Sequence, residues 1–472
     1  MDTEGAKPAP APLQRRWLIL AAVLTVLIMT PLDGSAVNIV LPVLQREFSL
    51  QLTHVAWVAL IYLMVLASLI LPMGRLGDLF GFRRLYLLGT LIFTVSSLAC
   101  GLAPHFTGLI IARVVQGIGA CMMMATSIGI ATALFPPEER GRALGFVGMT
   151  VALGQISGPT LGGWLTHLAG WRMIFFINLP IGLVGGLGCY RWLPPLLPPT
   201  HEKVDWAGAL LATFTLGSFV LALTQGEHWG WGSTPVLALF GLSLVLGACF
   251  AVVELRTLSP MLEFSLFRHP VFAGSTTATL LNYLGQSCAI FLTPKLLEDV
   301  LRLPVQTAGM AMIVLPASAL LLAPISGALS DRIGTRALAA IGELLLACGL
   351  VGLALSAPLQ RLPLLLLSLA CTGIGVGLFQ APNNSAVMGS VPRTRLGTGG
   401  GVLATMRNLG IMLGITLSSV LTVSVQQHYL LLHPTANLDA LTHGIQIALF
   451  AGAGFNLLGA VTSAIRADQP AG

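Results

Sequence analysis

The chain has 472 residues, of which 55% are hydrophobic and 9% are charged. Soluble proteins usually contain roughly 25% charged residues, so this composition excludes an ordinary soluble protein and indicates many membrane spans. The net charge of +6 would suggest a nucleic-acid partner in a soluble protein, but the excess of basic residues on the cytoplasmic side of membrane proteins explains it here. The seven cysteines have neither metal-ligand nor disulfide-framework spacing, so we expect no metal site.

Fourteen apolar runs of about 20 residues or more are separated by short charged or Pro/Gly-rich breaks. They predict helices at 17–40, 54–74, 85–103, 107–135, 142–167, 173–193, 206–224, 235–254, 270–294, 307–329, 337–357, 362–388, 398–424 and 443–465. The first run follows basic residues but has the length of a full span, so we expect it to be retained rather than cleaved as a signal peptide.

Most of the 24 basic residues fall in segments that this helix count places on one side of the membrane. The positive-inside rule identifies that side, together with both termini, as cytoplasmic. We therefore expect a multi-pass protein of the cytoplasmic (inner) membrane.

Two segments repeat one pattern: glycine, three residues, aspartate, two residues, glycine and then arginine. They are GRLGDLFGFRR at 74–84 and GALSDRIGTR at 327–336. Tandem halves around a central cavity are typical of alternating-access transporters. We therefore predict an N-terminal six-helix half at 1–193, a linker with two extra spans at 194–264, and a C-terminal six-helix half at 265–472.

The repeated loops have their own chemistry. Gly74 and Gly81 permit a tight turn, and Asp78 can accept hydrogen bonds from the N-terminus of a neighbouring helix. Arg83 and Arg84 can bridge to other helix ends or to anionic lipid.

This loop resembles the conserved cytoplasmic loop of the major facilitator superfamily, which latches the outward-open state. Leu79 and Phe82 depart from the family pattern, because basic residues are common at those positions. The resemblance implies a conformational latch made of Gly74, Asp78, Gly81, Arg83, Arg84, Asp331, Arg332 and Arg336.

The fifth predicted helix contains GFVGMTVALGQISGPTLGG at 145–163. In an ordinary helix each interior Gly costs about 1 kcal/mol and Pro about 3 kcal/mol. In a membrane bundle these residues let helix backbones approach closely and let a helix bend, so packing alone is one interpretation. The spacing of Gly145, Gly154, Gly158, Pro159, Gly162 and Gly163 also resembles the antiporter motif of major facilitator exporters, which implies export in exchange for protons.

Asp33 lies within the apolar first helix, in MTPLDGSAVNIVLP at 29–42. A carboxylate inside the membrane is costly enough to be a functional hypothesis by default. Arg113, in LIIARVVQGIGA of the fourth helix, lies at a similar depth by rise per residue, and its charge would favour ionised Asp33. We predict that Asp33 and Arg113 couple protons to transport, with a purely structural pairing as the alternative. Both segments resemble the matching motifs of drug:proton antiporters with fourteen helices.

Other polar side chains within the predicted helices are candidates for lining a substrate cavity. They are Asn38, Gln116, Asn282, Gln286, Glu343, Gln380, Asn383, Asn384 and Arg407. Interhelical hydrogen bonds or structural ion pairs are the alternative for each of them.

These resemblances cover nearly the whole chain and imply the major facilitator fold: an all-α membrane protein of two six-helix halves with two inserted helices. They imply proton-coupled efflux of small lipophilic or cationic drug-like compounds by alternating access, which would give antibiotic resistance. Export of an endogenous metabolite and lipid flipping are the alternatives.

The expected partners are the transported small molecule, protons and membrane lipids. We expect a monomer that needs no cofactor, because the proton gradient supplies the driving force. We expect no enzymatic activity, since the sequence has no G-x-S-x-G, H-E-x-x-H or Walker pattern.

Overall fold

The computed structural model describes residues 13–196, 202, 204–257, 259–359 and 361–465. Both termini, which we predict to be cytoplasmic, lie outside the described residues.

Fourteen long helices make up the described part of the chain. They are α1 (Leu13–Leu27 and Met29–Phe48), α2 (Trp57–Phe80), α3 (Phe82–Leu102), α4 (Phe106–Leu134), α5 (Pro137–Ala169), α6 (Met173–Phe176 and Asn178–Trp192), α7 (Trp206–Trp229), α8 (Thr234–Arg256), α9 (Pro270–Lys295), α10 (Val305–Met312 and Val314–Ile333), α11 (Arg336–Leu359), α12 (Leu362–Gly389), α13 (Leu396–Leu432) and α14 (Asn437–Ile465). Short helical segments lie at Leu52–Val55, Phe264–Arg268, Leu296–Val300 and Arg393–Arg395.

Thirteen of these helices are long and apolar enough to cross a membrane by length and composition. The remaining one, α9, has 26 residues, which gives it ample length, but it carries many polar side chains. Most of them, including Ser275, Thr279 and Asn282, are buried against neighbouring helices. A span that is sheltered by other helices does not need an apolar surface, so the predicted set of fourteen spans agrees with the fold.

Several helices extend beyond the predicted apolar runs. For example, α13 continues to Leu432, whereas the apolar run ends at residue 424, and α5 spans 33 residues. Hydropathy detects only the part of a helix that lies in hydrocarbon, while backbone hydrogen bonding continues into the polar ends.

The two sets of six helices repeat one packing pattern. In the first set, α1 packs on α5 and α6, and α4 packs on α2 and α3; in the second, α9 packs on α13 and α14, and α12 packs on α10 and α11. Of the two extra helices, α7 packs on α8, α2 and α13, while α8 is largely exposed. The inserted pair therefore lies beside the seam between the two sets.

The two sets meet along two seams, α2 with α13 and α5 with α10. Glycines line both seams: Gly74 faces the Gly397 backbone, and a Cβ atom on Gly145 would lie 2.7 Å from the Ala323 carbonyl oxygen. Backbones therefore approach closely at the end of the bundle where α2 gives way to α3. We call this the latch end.

The glycines of α5 serve two different contacts. Gly145 faces α10, whereas Gly154, Gly158 and Gly162 face α1. Pro159 is exposed, and Gly163 is only loosely covered, since its Cβ position is 3.8 Å from the nearest atom. These three glycines of the sequence motif, Gly154, Gly158 and Gly162, thus form the packing surface for α1, the helix that carries Asp33. We call this surface the seat of α1.

Gly158 and Gly163 offer a matched test of this seat. Alanine at 158 would place its Cβ 2.8 Å from the Leu32 carbonyl oxygen and 2.9 Å from the Ala36 nitrogen, so α1 and α5 must separate. We expect Gly158→Ala to lose about 1–3 kcal/mol of stability. Gly163→Ala should be neutral or slightly stabilising, because alanine favours the helix. Thermal unfolding of both variants in detergent measures the difference, and equal midpoints would contradict this packing.

Candidate functional site

Asp33 lies in α1 with only 1% of its surface exposed. Its Oδ2 forms an ion pair with Nη1 of Arg113 on α4. Its Oδ1 accepts hydrogen bonds from Gln116 at 3.0 Å and from Asn178 of α6 at 3.3 Å. Ser97 of α3 joins Gln116 and Asn178 through its hydroxyl. We call these five residues the Asp33 cluster.

Arg113 is fully buried; its Nε and Nη1 are both engaged, whereas Nη2 has no hydrogen-bond partner among the described residues. Nε donates to the Val58 carbonyl at 2.9 Å, Nη1 also donates to Gln116 at 2.7 Å, and the guanidinium lies 4.3 Å from the Tyr62 ring centroid. A buried charge is tolerated only when it is paired and hydrogen-bonded. The two charges of the pair compensate each other, so the cluster is neutral as a unit.

Chemically, a carboxylate is a group that can take up a proton, and the burial of Asp33 closes this one to water in this conformation. Adding a proton to Asp33 would remove the charge that holds Arg113 and would weaken the contact among α1, α4 and α6 at this carboxylate. Uptake or release of that proton requires these helices to move, because the carboxylate has almost no exposed surface.

Three members of this environment, Ser97, Asn178 and Tyr62, were not predicted from the sequence. Uncharged polar residues are common in membrane helices and usually serve packing, so their positions alone did not distinguish them. The one signal was an asparagine at the start of the sixth apolar run.

At the latch end, Asp78 caps α13. Its carboxylate accepts hydrogen bonds from the backbone N–H of Gly397 at 2.6 Å and from the N–H and hydroxyl of Thr398, both at 2.8 Å. Asp331 on α10 does the same near the start of α5, accepting from Gly141 at 2.8 Å and Arg142 at 3.0 Å. Each set of helices therefore donates one carboxylate to a helix start of the other set.

Of the other predicted latch residues, Gly74 crosses the seam by packing against the Gly397 backbone. Gly81 closes the α2–α3 turn at φ +89°. Arg83 donates to the Tyr190 carbonyl at 2.8 Å, within the first set of helices. Arg84, Arg332 and Arg336 have exposed side chains at the same end.

An ion cluster that was not predicted from the sequence reinforces the latch end. Arg75, buried at the end of α2, pairs with Glu202, which also lies 3.2 Å from Arg395, while Arg395 lies 3.5 Å from Glu263. Partial burial raises the pKa of Glu202, but the hydrogen bond from Arg75 and the charge of Arg395 outweigh it, so its pKa is below the ordinary value. Glu202 therefore stays ionised at neutral pH and links the segment before α7 to both sets of helices.

The structure separates the predicted cavity residues into groups. Gln116 belongs to the Asp33 cluster, and Asn38 is exposed on α1. Four others have half-buried side chains: Gln286 on α9, and Gln380, Asn384 and Arg407 on α12 and α13, the helices that also pack against the first set.

Asn282, Asn383 and Glu343 are fully buried inside the second set in this conformation, and their role in lining a cavity stays a prediction. Asn383 ties α12 to α9 by donating to the Thr279 hydroxyl at 2.8 Å. Glu343 accepts from Asn456 of α14 at 2.7 Å and also interacts with Asn282. In the described part of the chain no basic residue pairs with Glu343. Helical periodicity gives the face of a residue but not the helix that covers it, which is why burial was missed.

Replacing Asp78 by asparagine tests the latch. The change removes a negative charge from the N-terminus of α13. The interaction of such a charge with the helix dipole stabilises the closed conformation by up to about 2 kcal/mol, so we expect the ratio of closed to open molecules to fall by roughly fivefold or more. Spin labels at 84 and 332 would report a longer distance by double electron–electron resonance. Asp439→Asn, an exposed acid at the start of α14, is the control and should leave the distance distribution unchanged. An unaltered distribution in Asp78→Asn would contradict the assignment.

Replacing Glu343 tests whether it acts as a neutral hydrogen-bonding group. Glutamine keeps the size and the acceptor for Asn456, so Glu343→Gln should unfold close to the wild-type temperature. Alanine leaves buried amides of Asn282 and Asn456 without that partner, at a cost of about 1–3 kcal/mol. Thermal unfolding in detergent checks whether Glu343→Gln unfolds at a higher temperature than Glu343→Ala. Equal destabilisation by both changes would indicate that an ionised carboxylate is required.

Comparison with known proteins gives the context of this geometry. The family model described as Major Facilitator Superfamily matches residues 23–415 and 275–466. The riboflavin transporter RibZ of Clostridioides difficile (strain 630) is 34% identical over 408 residues, which covers 86% of this chain and 88% of that protein. The multidrug resistance protein Stp of Mycobacterium tuberculosis (strain CDC 1551 / Oshkosh) is 32% identical over 408 residues, which cover 85% of this chain and 76% of that protein.

Among solved structures, the human organic anion transporter MFSD10 (TETRAN) superimposes with a TM-score of 0.67 at 17% identity, covering 96% of this chain and 100% of that one. At this identity the likeness concerns the fold alone. Since the family model spans nearly all of the membrane helices and the sequence relatives are transporters, the chain is a multi-pass membrane transporter that belongs to the Major Facilitator Superfamily.

Proposed function

We propose that this transporter exports small, largely apolar organic molecules across the cytoplasmic membrane in exchange for protons. The observation that supports this most is the Asp33 cluster: one buried carboxylate, paired with one buried arginine, on helices that must move for the carboxylate to meet water. An ionisable group inside the membrane is a costly feature that proton-coupled carriers use.

The exchange follows from two states of Asp33. In the ionised state the carboxylate is held by Arg113 and Gln116, and α1 is fixed to α4. A proton bound to Asp33 neutralises it, weakens these contacts and frees α1 to move together with α5, on whose glycines it is seated. Alternate exposure to the two sides then carries the proton inward and the organic molecule outward.

The contacts at the latch end suggest which state is described here. Arg83, Arg84, Arg332 and Arg336 all lie at this end, and basic residues gather on the cytoplasmic side. With the cytoplasmic end closed by Asp78 and Asp331, we assign this conformation to the part of the cycle in which the transporter is closed to the cytoplasm. The proton gradient drives the cycle, and no cofactor is required.

The class of the cargo has two candidates. The likeness to a multidrug resistance protein favours drug-like compounds, while the likeness to a riboflavin transporter at 34% identity favours an endogenous metabolite. A transport panel should therefore contain riboflavin as well as lipophilic cationic and neutral drugs.

Replacement of Asp33 by asparagine tests the proposal. Asparagine keeps the size and can accept a hydrogen bond but cannot carry a proton, so we expect substrate-dependent proton movement to fall to background. The measurement is the internal pH of proteoliposomes, read with an entrapped dye, when each compound of the panel is added under an imposed pH gradient. Asp439→Asn is the matched control and should behave as wild type.

Two results would overturn the proposal. Undiminished proton movement in Asp33→Asn would exclude Asp33 as the coupling site. Transport of a compound by wild type with no proton movement at all would exclude antiport.

A further inference from the structure

Arg407 is a charged residue near the middle of α13, roughly 17 Å by helical rise from Leu396, the first residue of that helix. Two turns earlier on the same face, Gly400 packs against Ala125 and Ile128 of α4, in the other set of helices. Three residues later, Gly410 packs against α9. The Arg407 side chain therefore leaves α13 between α4 and α9, in the space between the two sets, rather than towards lipid.

The side chain of Arg407 is half-buried and interacts with Tyr283 of α9. It forms no ion pair with any carboxylate in the described ranges of the chain. Arginines inside membrane spans are normally paired or face a water-filled cavity. A half-buried arginine between the two sets, with no carboxylate partner among the described residues, has its charge free for a ligand.

The other charges at this depth are not available to a ligand. Asp33 is 1% exposed and bound to Arg113, and Glu343 is fully buried among asparagines. The Asp33 cluster is neutral as a unit, so the accessible fixed charge between the two sets is the positive charge of Arg407. Such a surface attracts anions and repels cations.

Neutral polar groups surround this charge. Gln286 lies one turn beyond Tyr283 on α9, and its carbonyl oxygen is buried without a partner among the described residues. Across the space, Gln380 of α12 reaches α5, since its Oε1 lies 3.4 Å from the Cβ position of Gly148. These amides can bind further polar groups of a molecule whose acid is held by Arg407.

We propose that Arg407, assisted by Tyr283, binds an acidic group of the transported molecule, so that the preferred cargo is an organic anion such as an aromatic carboxylate, sulfonate or phenolate. This rests on the proposed export function and narrows the cargo to acids, in place of the lipophilic or cationic compounds expected from the sequence. The planar guanidinium can bind a carboxylate through two parallel hydrogen bonds, and the Tyr283 hydroxyl can donate a third.

The proposal changes the electrical character of the exchange. A monovalent cation leaving for one entering proton moves no net charge, whereas a monovalent anion leaving for one proton moves two positive charges inward. Each charge adds about a 50-fold concentration ratio per 100 mV of membrane potential. Export of an anion is therefore driven by the potential as well as by the pH gradient.

The experiment compares fluorescein with rhodamine 123, two dyes that share a xanthene ring system but carry opposite charge. Initial rates are measured in proteoliposomes with and without a potassium diffusion potential set by valinomycin. We expect wild type to move fluorescein at least tenfold faster than rhodamine 123, and the potential to accelerate fluorescein alone. Arg407→Gln should bring the ratio of the two rates to near one, Arg407→Lys should give an intermediate ratio, and Arg256→Gln, an exposed arginine at the end of α8, should leave it unchanged.

A faster rate for rhodamine 123, or an anion preference that Arg407→Gln leaves intact, would overturn the proposal. If wild type moves neither dye, the proposed transport fails separately, and binding decides the inference. Fluorescence anisotropy of fluorescein with detergent-solubilised protein should then show at least tenfold weaker binding to Arg407→Gln than to wild type, and equal binding would reject the anion site. Arg407→Lys, which keeps the charge, guards against a folding defect in the glutamine variant.

Discussion

The packing of the first set of helices depends on how one buried negative charge, that of Asp33, is compensated away from water. A single carboxylate on α1 is kept inside the first set of helices by a buried arginine, two amides and a hydroxyl network. The desolvation cost of such a pair is high, and removal of one partner leaves the other uncompensated. Three helices therefore meet at the Asp33 carboxylate and a fourth joins them through Ser97, so an event that neutralises Asp33 acts on the whole group. This is a local chemical change with a global mechanical effect.

The latch end uses charge in a different way. Asp78 and Asp331 bind backbone N–H groups at helix starts of the opposite set, where the helix dipole favours a negative charge. Glu202 adds a contact from the segment that precedes the inserted helices, because it lies against both Arg75 and Arg395. The two inserted helices are consequently attached at the seam and are more than a lipid-facing addition.

Much of the fold could be read from the sequence, because long apolar runs and rare intramembrane charges have few explanations. Asp33 and Arg113 were paired from depth alone, and their contact is present in the structure. The environment of Glu343 could not be read in this way, since the burial of a helix face depends on which neighbour covers it. The same limit hid Asn178 from prediction, and it hid Glu202, whose importance comes from arginines more than a hundred residues away in the chain.

The glycine seams have a consequence for the rate of conformational change. Where Gly74 meets Gly397 and Gly141 meets Gly327, main chain packs against main chain, and the carboxylates of Asp78 and Asp331 lie beside these contacts. Interlocked side chains would have to change rotamer before two helices could part, and each such change adds to the barrier. Here the helices can separate once a few hydrogen bonds to two carboxylates are broken. The latch end is thus held together by specific hydrogen bonds to two carboxylates, while its glycine contacts offer little steric resistance to separation. This combination suits a protein that opens and closes once in every cycle.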